Sequence, residues 1–133
     1  MVYPESMIYV VTPADTATGG SELLHQLVYQ LRKDLKVNAY MYYIPDNHPS
    51  PVHLEYQQYK NTFTSQIEDK EKNILITPEI TKTINVLKGY SKIRKYIWWL
   101  SIDNFYLSLL LSNKENFFFY RTVNKIWNFF FRE

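Results

Sequence analysis

Apolar residues follow two spacings along most of this chain: short continuous runs, and stripes spaced as on one face of a helix. Four runs rich in β-branched and aromatic residues, at 7–11, 37–44, 73–77 and 95–100, predict buried strands. Helical spacing predicts helices over 21–35, 51–60 and 81–87, and residues 62–67 suggest a short edge strand. Strands that alternate with helices are typical of an α/β domain with a mostly parallel sheet. We therefore expect one such domain, flanked by helices, over residues 1–106.

The first helix has the clearest stripe. Its apolar residues are expected to face the sheet; they are Leu23, Leu24, Leu27, Val28, Leu31 and Leu35. His25 is expected as a partly exposed residue of the same helix. His48 and His53 are expected as loop histidines, because two histidines across two prolines do not make a metal site.

Two glycines, Gly19 and Gly20, stand between the first strand and this helix, followed by Ser21 and Glu22. Strand, glycine pair and helix together are the usual opening of a Rossmann-like domain. A helix start offers free N–H groups and a partial positive charge, so the segment predicts contact with a phosphate. A tight strand-to-helix turn without a ligand is the alternative. The spaced G-x-G-x-x-G motif is absent, which argues against a nicotinamide cofactor.

Three further polar residues follow predicted strands. Glu79 comes after the third strand, and Ser101 and Asp103 come after the fourth. In a parallel sheet these positions share one edge, where ligands bind. Glu79 would contact a ligand or start a helix, and Asp103 would contact a ligand or cap a helix. The sequence assigns no catalytic residue and no metal ligand.

Aromatic residues dominate the C-terminal part. Trp98 and Trp99 are expected to pack in the core, one on each face of their strand. Residues 107–133 are predicted to be helical, with a break near Asn113. Within 117–132, an aromatic stripe lies beside a basic one. Packing or self-association would cover this stripe, and contact with an anionic membrane surface is the alternative.

Charge is uneven along the 133 residues, although the net charge is only +2. Residues 1–80 hold six Lys/Arg and ten Asp/Glu, whereas residues 81–133 hold nine and three. Nucleic acid is not an expected partner, because the basic residues are scattered and no binding motif is present. Cysteine is absent, a secretory signal is not evident, and no apolar run reaches the roughly 18 residues of a membrane span. We expect a cytoplasmic protein, or one peripheral to the inner face of the membrane.

Four stretches carry a resemblance to a known family. They are Ala17-Thr18-Gly19-Gly20-Ser21-Glu22-Leu23-Leu24-His25-Gln26-Leu27, Asn73-Ile74-Leu75-Ile76-Thr77-Pro78-Glu79-Ile80, Ile97-Trp98-Trp99-Leu100-Ser101, and Asp103-Asn104. Together they resemble the N-terminal domain of bacterial GT-B glycosyltransferases of capsule and lipopolysaccharide synthesis.

The resemblance implies a nucleotide-diphosphate sugar as donor substrate, a glycan or lipid-linked acceptor, and no covalently bound cofactor. By position, Gly19 and Gly20, with Ser21 and Glu22 at the helix start, would lie against a phosphate in a cleft between two domains. In such a cleft Glu79 would bind a sugar hydroxyl and Asp103 would contact the acceptor. Such enzymes need a second domain for most of the nucleotide sugar, and we expect that domain to lie outside these 133 residues. The resemblance therefore implies an acceptor-side half that is inactive alone. A non-catalytic Rossmann-like interaction or oligomerisation module is the alternative.

Overall fold

The computed structural model describes residues 3–112. It contains four strands and three α-helices in that range: β1 (Met7–Pro13), α1 (Gly19–Lys33), β2 (Asn38–Ile44), β3 (Ile74–Pro78), α2 (Thr81–Ile84), β4 (Arg94–Trp98) and α3 (Ile102–Ser112). Two 3-10 helices, Leu54–Tyr59 and Asn85–Gly89, complete the described elements.

The four strands form one parallel sheet in the order β2-β1-β3-β4. Pro13 pairs with Ile44, and Pro78 pairs with Trp98, so neighbouring strands end level with each other. Helices flank this sheet, which confirms the predicted single α/β, Rossmann-like architecture. Because neighbouring strands end at the same level, the loops that follow them lie side by side at the carboxyl edge of the sheet.

Alternation along β1 divides the core into two layers. Ile8 and Val10 pack under α1 with Met41, whereas Tyr9 and Val11 pack on the opposite face with Leu75. Both faces of β1 are therefore buried, as a central parallel strand requires. This burial explains why the run at 7–11 is apolar throughout rather than alternating.

Helix α1 begins two residues earlier than predicted. Its buried residues are Ser21, Leu24, His25 and Val28, a stripe at helical spacing. Leu23 lies beside this stripe and is 45% exposed, and Leu35 lies beyond the end of the helix at 67% exposure. The prediction that both leucines face the sheet was therefore wrong, and so was the partly exposed position expected for His25.

The predicted helix at 51–60 is a six-residue 3-10 helix, Leu54–Tyr59. In a 3-10 helix side chains three residues apart are aligned, which places Tyr56 and Tyr59 on one side. Both phenols bond to α1 or its cap, through Thr18 and Glu22. The tighter winding is thus stabilised by two tertiary contacts that the sequence spacing alone does not reveal.

Two other predicted elements are shorter than expected. The edge strand at 62–67 consists of one parallel bridge, between Met41 and Phe63. The helix at 81–87 is a four-residue α-helix that tightens into the 3-10 helix Asn85–Gly89. Thr81, Thr83, Ile84 and Val86 make its sequence rich in β-branched residues, which lowers its helical propensity.

Strand β4 lies at one end of the described sheet and is largely exposed. Tyr96 and Ile97 are 52% and 46% exposed, so the prediction of a buried strand here was wrong. Trp98 packs against the core as expected, but Trp99 lies past the strand, half exposed, with its ring 4.9 Å from that of Phe105. An end strand has a neighbour on one side only, which leaves these side chains with less to pack against.

Helix α3 is apolar on most sides and has no buried residue, although its Ser108 hydroxyl bonds to Thr81 of α2. Its large exposed residues are Ile102, Tyr106, Leu107, Leu109, Leu110 and Leu111. It runs through the domain boundary expected at residue 106. The predicted break near Asn113 and the aromatic and basic stripes of 117–132 lie outside the described residues. Within residues 3–112, no helix combines the length and the apolar character that crossing a membrane requires.

Leu24 and Leu23 form a matched pair for testing this core. Leu24 is 1% exposed, so Leu24→Ala is expected to lower the free energy of unfolding by about 2–5 kcal/mol, because it leaves a cavity under α1. Leu23→Ala removes the same atoms from an exposed position and is expected to change it by about 0.5 kcal/mol or less. Urea denaturation of both variants measures the difference; equal losses would contradict the assigned face of α1.

Candidate functional site at the carboxyl edge of the sheet

The loop between β1 and α1 is hydrogen-bonded to the end of β2 and to the chain that follows β2. The Ala14 N–H donates to the Ile44 carbonyl at 2.9 Å, and the Asp15 N–H donates to the Pro51 carbonyl at 2.9 Å. The loop from β1 to α1 is therefore fixed beside the end of β2. This fixes where α1 starts relative to the sheet.

The N-terminus of α1 is capped by Thr18, not by the glycines. Its side-chain oxygen accepts from the Ser21 N–H at 3.1 Å. Gly19 and Gly20 are the first two helical residues, and neither has a positive φ. Within residues 3–112, no acceptor is bonded to the N–H groups of these two glycines. Two donors at the positive end of a fifteen-residue helix are thus left for a ligand or solvent.

The two glycines have different surroundings. A Cβ at Gly19 would have nothing within 4 Å, whereas a Cβ at Gly20 would lie 3.4 Å from the Leu100 side chain. Gly19 therefore faces open space, and Gly20 lies against the segment that follows β4. Since the backbone conformation of Gly19 suits any residue, the fold itself does not require glycine there.

Glu79 binds this same segment. Its side chain is 1% exposed, and its two carboxylate oxygens accept from the N–H groups of Leu100, at 2.9 Å, and Ser101, at 3.0 Å. The residue before α2, Ile80, makes no side-chain cap, and Glu79 does not start that helix. The carboxylate joins the end of β3 to the chain after β4. Because Leu100 also contacts Gly20, the ends of three elements meet here.

Ser101 and Asp103 take different positions at the start of α3. The Ser101 hydroxyl accepts from the Asn104 N–H at 3.2 Å, so Ser101 is the cap of the helix. Asp103, expected as a possible cap, is an exposed residue of the first turn. Its carboxylate favours the positive end of α3 but is not joined to Glu79 or Gly20 by a contact among the described residues.

Ser21 and Glu22 do not face the open side of Gly19. Ser21 is 5% exposed, and its hydroxyl accepts from the Thr18 hydroxyl at 3.1 Å. Glu22 accepts from the Tyr59 hydroxyl at 3.1 Å and from the Gln26 amide at 3.4 Å. The structure thus brings Gly19, Gly20, Glu79 and Ser101 to one place and directs Glu22 toward the 3-10 helix.

His25 is a buried polar residue that sequence reasoning placed wrongly. It is 2% exposed, and its Nδ1 lies 2.7 Å from the Ser21 carbonyl oxygen. A carbonyl only accepts, so Nδ1 carries the proton. Burial lowers the pKa of the imidazole, so the ring is neutral and Nε2 accepts from the Tyr43 hydroxyl at 3.0 Å. The spacing Ser21, Leu24, His25, Val28 was the signal that could have revealed this burial.

Tyr56 connects the His25 region to the start of α1. Its hydroxyl donates to the Thr18 carbonyl and accepts from the Thr18 N–H, both at 2.8 Å. Its ring stacks on the imidazole of His25 with centroids 4.3 Å apart. The residue before the glycine pair is therefore held in place by the same side chain that covers His25.

The arrangement suits anion binding better than acid–base chemistry. The open groups at the edge are the N–H donors of Gly19 and Gly20, whereas the Glu79 carboxylate is occupied by backbone donors. Among residues 3–112, no three His, Cys, Asp or Glu side chains converge in a way that could hold a metal ion.

No protein-family model matches the chain, and no curated protein or solved structure is significantly similar to it. The fold and the geometry of the site are therefore described from the structure of this chain and not from a similarity to a known protein.

Glu79→Gln tests the bond between β3 and the segment after β4. The glutamine amide keeps the shape of the carboxylate but replaces one acceptor oxygen by an NH₂ donor, which then faces a backbone N–H. We therefore expect the free energy of unfolding to fall by about 1–3 kcal/mol. Glu71→Gln, at an exposed loop position, is the control and is expected to change little. Thermal unfolding measures both; unchanged stability in Glu79→Gln would contradict the assigned hydrogen bonds.

His25 predicts a pH dependence of stability. Its pKa is lowered in the folded protein, so below the ordinary value of about 6.5 the unfolded chain binds a proton that the folded chain excludes. The unfolding free energy is therefore expected to fall between pH 7.5 and pH 5.5, and to fall less in His25→Gln. Urea denaturation at the two pH values measures this. His53→Asn keeps a side chain able to cap the 3-10 helix and is expected to retain the dependence. A wild-type chain equally stable at both pH values would contradict the buried neutral imidazole.

Proposed function

We propose that this chain is the N-terminal, acceptor-side half of a nucleotide-sugar-dependent glycosyltransferase of surface polysaccharide synthesis, with two facing Rossmann-like domains in the complete enzyme. The resemblance of four sequence stretches supports this function, and the parallel sheet with its level carboxyl edge is compatible with it. The donor would be a nucleotide-diphosphate sugar, and the acceptor a glycan or a lipid-linked glycan. Activity would require the second domain.

The observation that carries the proposal is the pair of free N–H donors at Gly19 and Gly20. They point out of the first turn of α1, and the side at Gly19 is open. A diphosphate oxygen is the kind of acceptor that such donors bind. Glu79 supports the site indirectly, because it holds Leu100 beside Gly20.

A simple energy comparison explains why a second domain is part of the proposal. A helix N-terminus contributes about 0.3–2 kcal/mol to a bound anion, and two charge-assisted hydrogen bonds contribute about 1.5–3 kcal/mol each. The sum is about 3–8 kcal/mol, and after an entropy cost of association of at least about 4 kcal/mol it leaves at most about 4 kcal/mol, which corresponds to millimolar affinity or weaker. One wall of a cleft therefore gives a weak site, and an opposing domain is needed for a useful one.

Gly19→Ala tests the phosphate contact without disturbing the fold. A Cβ there meets no atom within 4 Å and φ is not positive, so stability is expected to stay equal or to rise by about 0.4–1 kcal/mol. The methyl group would stand where a phosphate approaches, so nucleoside-diphosphate binding is expected to weaken. NMR titration of backbone amides with UDP and GDP at millimolar concentration is the measurement.

Gly89→Ala is the matched control, because a Cβ at Gly89 also meets nothing within 4 Å and φ there is not positive. It is expected to bind as the wild type does. No amide shift at Gly19 or Gly20 in the wild type, or equal binding by all three proteins, would count against the phosphate site.

A non-catalytic interaction module is the second candidate, and one observation favours it. Strand β4 and helix α3 expose the large apolar side chains of Tyr96, Ile97 and Leu111 at 46–52% each, and a partner could cover them. The second domain of the proposed complete enzyme and self-association of this chain would both cover this surface. Sedimentation of the chain at increasing concentration separates them, since only self-association raises the mass of the isolated chain.

Membrane contact through residues 117–132 and a place at the inner face of the membrane stay predictions, because this stretch lies outside the described residues. Flotation with anionic liposomes, with and without that stretch, tests them.

A further inference from the structure

The two outer strands of the described sheet differ in how their edges are covered. Beside β2, the Met41 N–H donates to the Thr62 carbonyl and the Thr64 N–H donates to the Met41 carbonyl, both at 3.0 Å. The Arg32 guanidinium donates to the Ala39 carbonyl of the same strand at 3.0 Å. Strand β4 pairs with β3 on one side and, in the part of the chain that the structure describes, with no strand on the other. Of the two edges of the described sheet, β4 therefore forms the open one.

The backbone of β4 shows which of its groups point outward. The Arg94 N–H donates to the Asn73 carbonyl at 3.2 Å, on the side of β3. Because successive residues of a strand turn their N–H and C=O groups to alternate sides, Tyr96 also directs its groups toward β3, and Lys95 and Ile97 direct theirs away from it. No described group bonds to these two N–H donors and two carbonyl acceptors, and the side chains of all three central residues of the strand are exposed.

A second, antiparallel β4 satisfies these outward groups in one register. Two residues that face each other in an antiparallel pair, with their groups turned inward, exchange both of their N–H···O bonds. A pairing centred on Tyr96 sets Lys95 opposite Ile97 of the second copy, and Ile97 opposite Lys95 of that copy. The outward groups of both strands are then all used, in four hydrogen bonds.

Other centres of pairing are less favourable. A pairing centred on Lys95 sets two ammonium groups opposite each other, which destabilises a sheet. It also requires the Ile93 N–H, which already donates to a carboxylate at 2.8 Å. A pairing centred on Ile97 sets Lys95 opposite Trp99, which lies beyond the end of the strand. Only the centre at Tyr96 keeps all four bonds within β4 and separates the like charges.

We propose that two copies of this chain associate through their β4 edges, antiparallel and with Tyr96 facing Tyr96 across a two-fold axis. Tyr96 is 52% exposed in the single chain, and the second tyrosine covers part of each ring. The two tyrosines form a non-hydrogen-bonded pair, with Cα atoms about 4.5 Å apart, and aromatic pairs stabilise such positions. A two-fold contact needs a surface that complements itself, and β4 does so in its backbone groups and in its charges.

The same geometry limits the assembly to two copies. Joined β4 edges give one eight-stranded sheet, in which a β2 strand lies at each end. Residues 62–64 and Arg32 cover each β2 edge, so the described sheet offers no second open edge to a third copy. We therefore expect a closed dimer and not a fibre.

This inference rests on the second candidate function, the interaction module, and specifies its partner and its geometry. It uses no group of the Gly19–Gly20 phosphate site, so nucleoside-diphosphate binding and dimer formation fail or pass independently. A dimer joined at another surface would keep the interaction module and overturn the pairing of β4.

Single-cysteine variants of the full 133-residue chain test the register, because the chain has no cysteine of its own. Tyr96→Cys places two thiols across the axis at a Cα separation within the range of disulfides. Ile97→Cys is the matched control, an exposed neighbour that lies two residues along the strand from its own copy, which is too far for a disulfide. Under mild oxidation and on non-reducing gels, we expect Tyr96→Cys to form a covalent dimer and Ile97→Cys to stay a single chain. Cross-linking of Ile97→Cys as fast as or faster than Tyr96→Cys would overturn the register.

Ile97→Pro tests the backbone bonds. Because the Ile97 N–H points away from β3, proline removes an outward donor and no bond of the sheet, and edge strands tolerate proline there. Each dimer loses two hydrogen bonds, so we expect its dissociation constant to rise about 10- to 100-fold. Ile97→Val keeps the donor and is expected to dimerise as the wild type does. Sedimentation equilibrium from micromolar to millimolar concentration measures all three proteins.

A wild-type chain that stays monomeric at millimolar concentration would overturn the proposal, and so would a folded Ile97→Pro that dimerises as tightly as the wild type. Circular dichroism and urea unfolding show whether this variant folds. If it does not, Tyr96→Lys and Tyr96→Glu decide. Each alone is expected to be monomeric, because like charges face each other across the axis, and an equimolar mixture is expected to form the mixed dimer. Dimers of either variant alone, or a mixture that stays monomeric, would contradict the facing tyrosines.

Discussion

The buried Glu79 carboxylate is the interaction that gives the carboxyl edge its form. A carboxylate removed from water needs donors, and here both oxygens take them from the chain just after β4. The Leu100 side chain consequently lies beside Gly20. The ends of β3, β4 and the beginning of α1 are thereby joined by one acidic side chain, and Gly19 is left open. The same group cannot readily serve as a free ligand for a sugar hydroxyl while it holds two backbone amides.

Most strands of the sheet could be predicted from the sequence, because a central parallel strand is buried on both faces and is therefore apolar at successive positions. The run containing Tyr9, Val10 and Val11 is apolar without alternation, and such a run has few other stable places in a domain of this size. Strand β4 was placed correctly but expected to be buried, because an apolar run does not reveal whether a neighbouring strand lies on each side. The helical spacing of apolar residues predicted the position of α1 correctly. It wrongly placed Leu23 on the buried face, because Leu23 lies at the margin of the buried stripe.

The long-range polar contacts could not be predicted from the sequence. Tyr56 follows Thr18 by 38 positions, and nothing in the local spacing connects them. The tertiary bonds of Tyr56 and Tyr59 also stabilise the 3-10 helix Leu54–Tyr59. His25 is different, since its burial followed from the stripe of α1.

Strand β4 has a further consequence for how this domain meets other chains. At the outer side of the described sheet its backbone is available for pairing, and Tyr96 and Ile97 flank it with large exposed surfaces. Lys95 stands in the same strand, and a cationic side chain on an edge discourages indiscriminate strand addition. The charged edge therefore limits indiscriminate strand addition without closing the sheet to a partner strand.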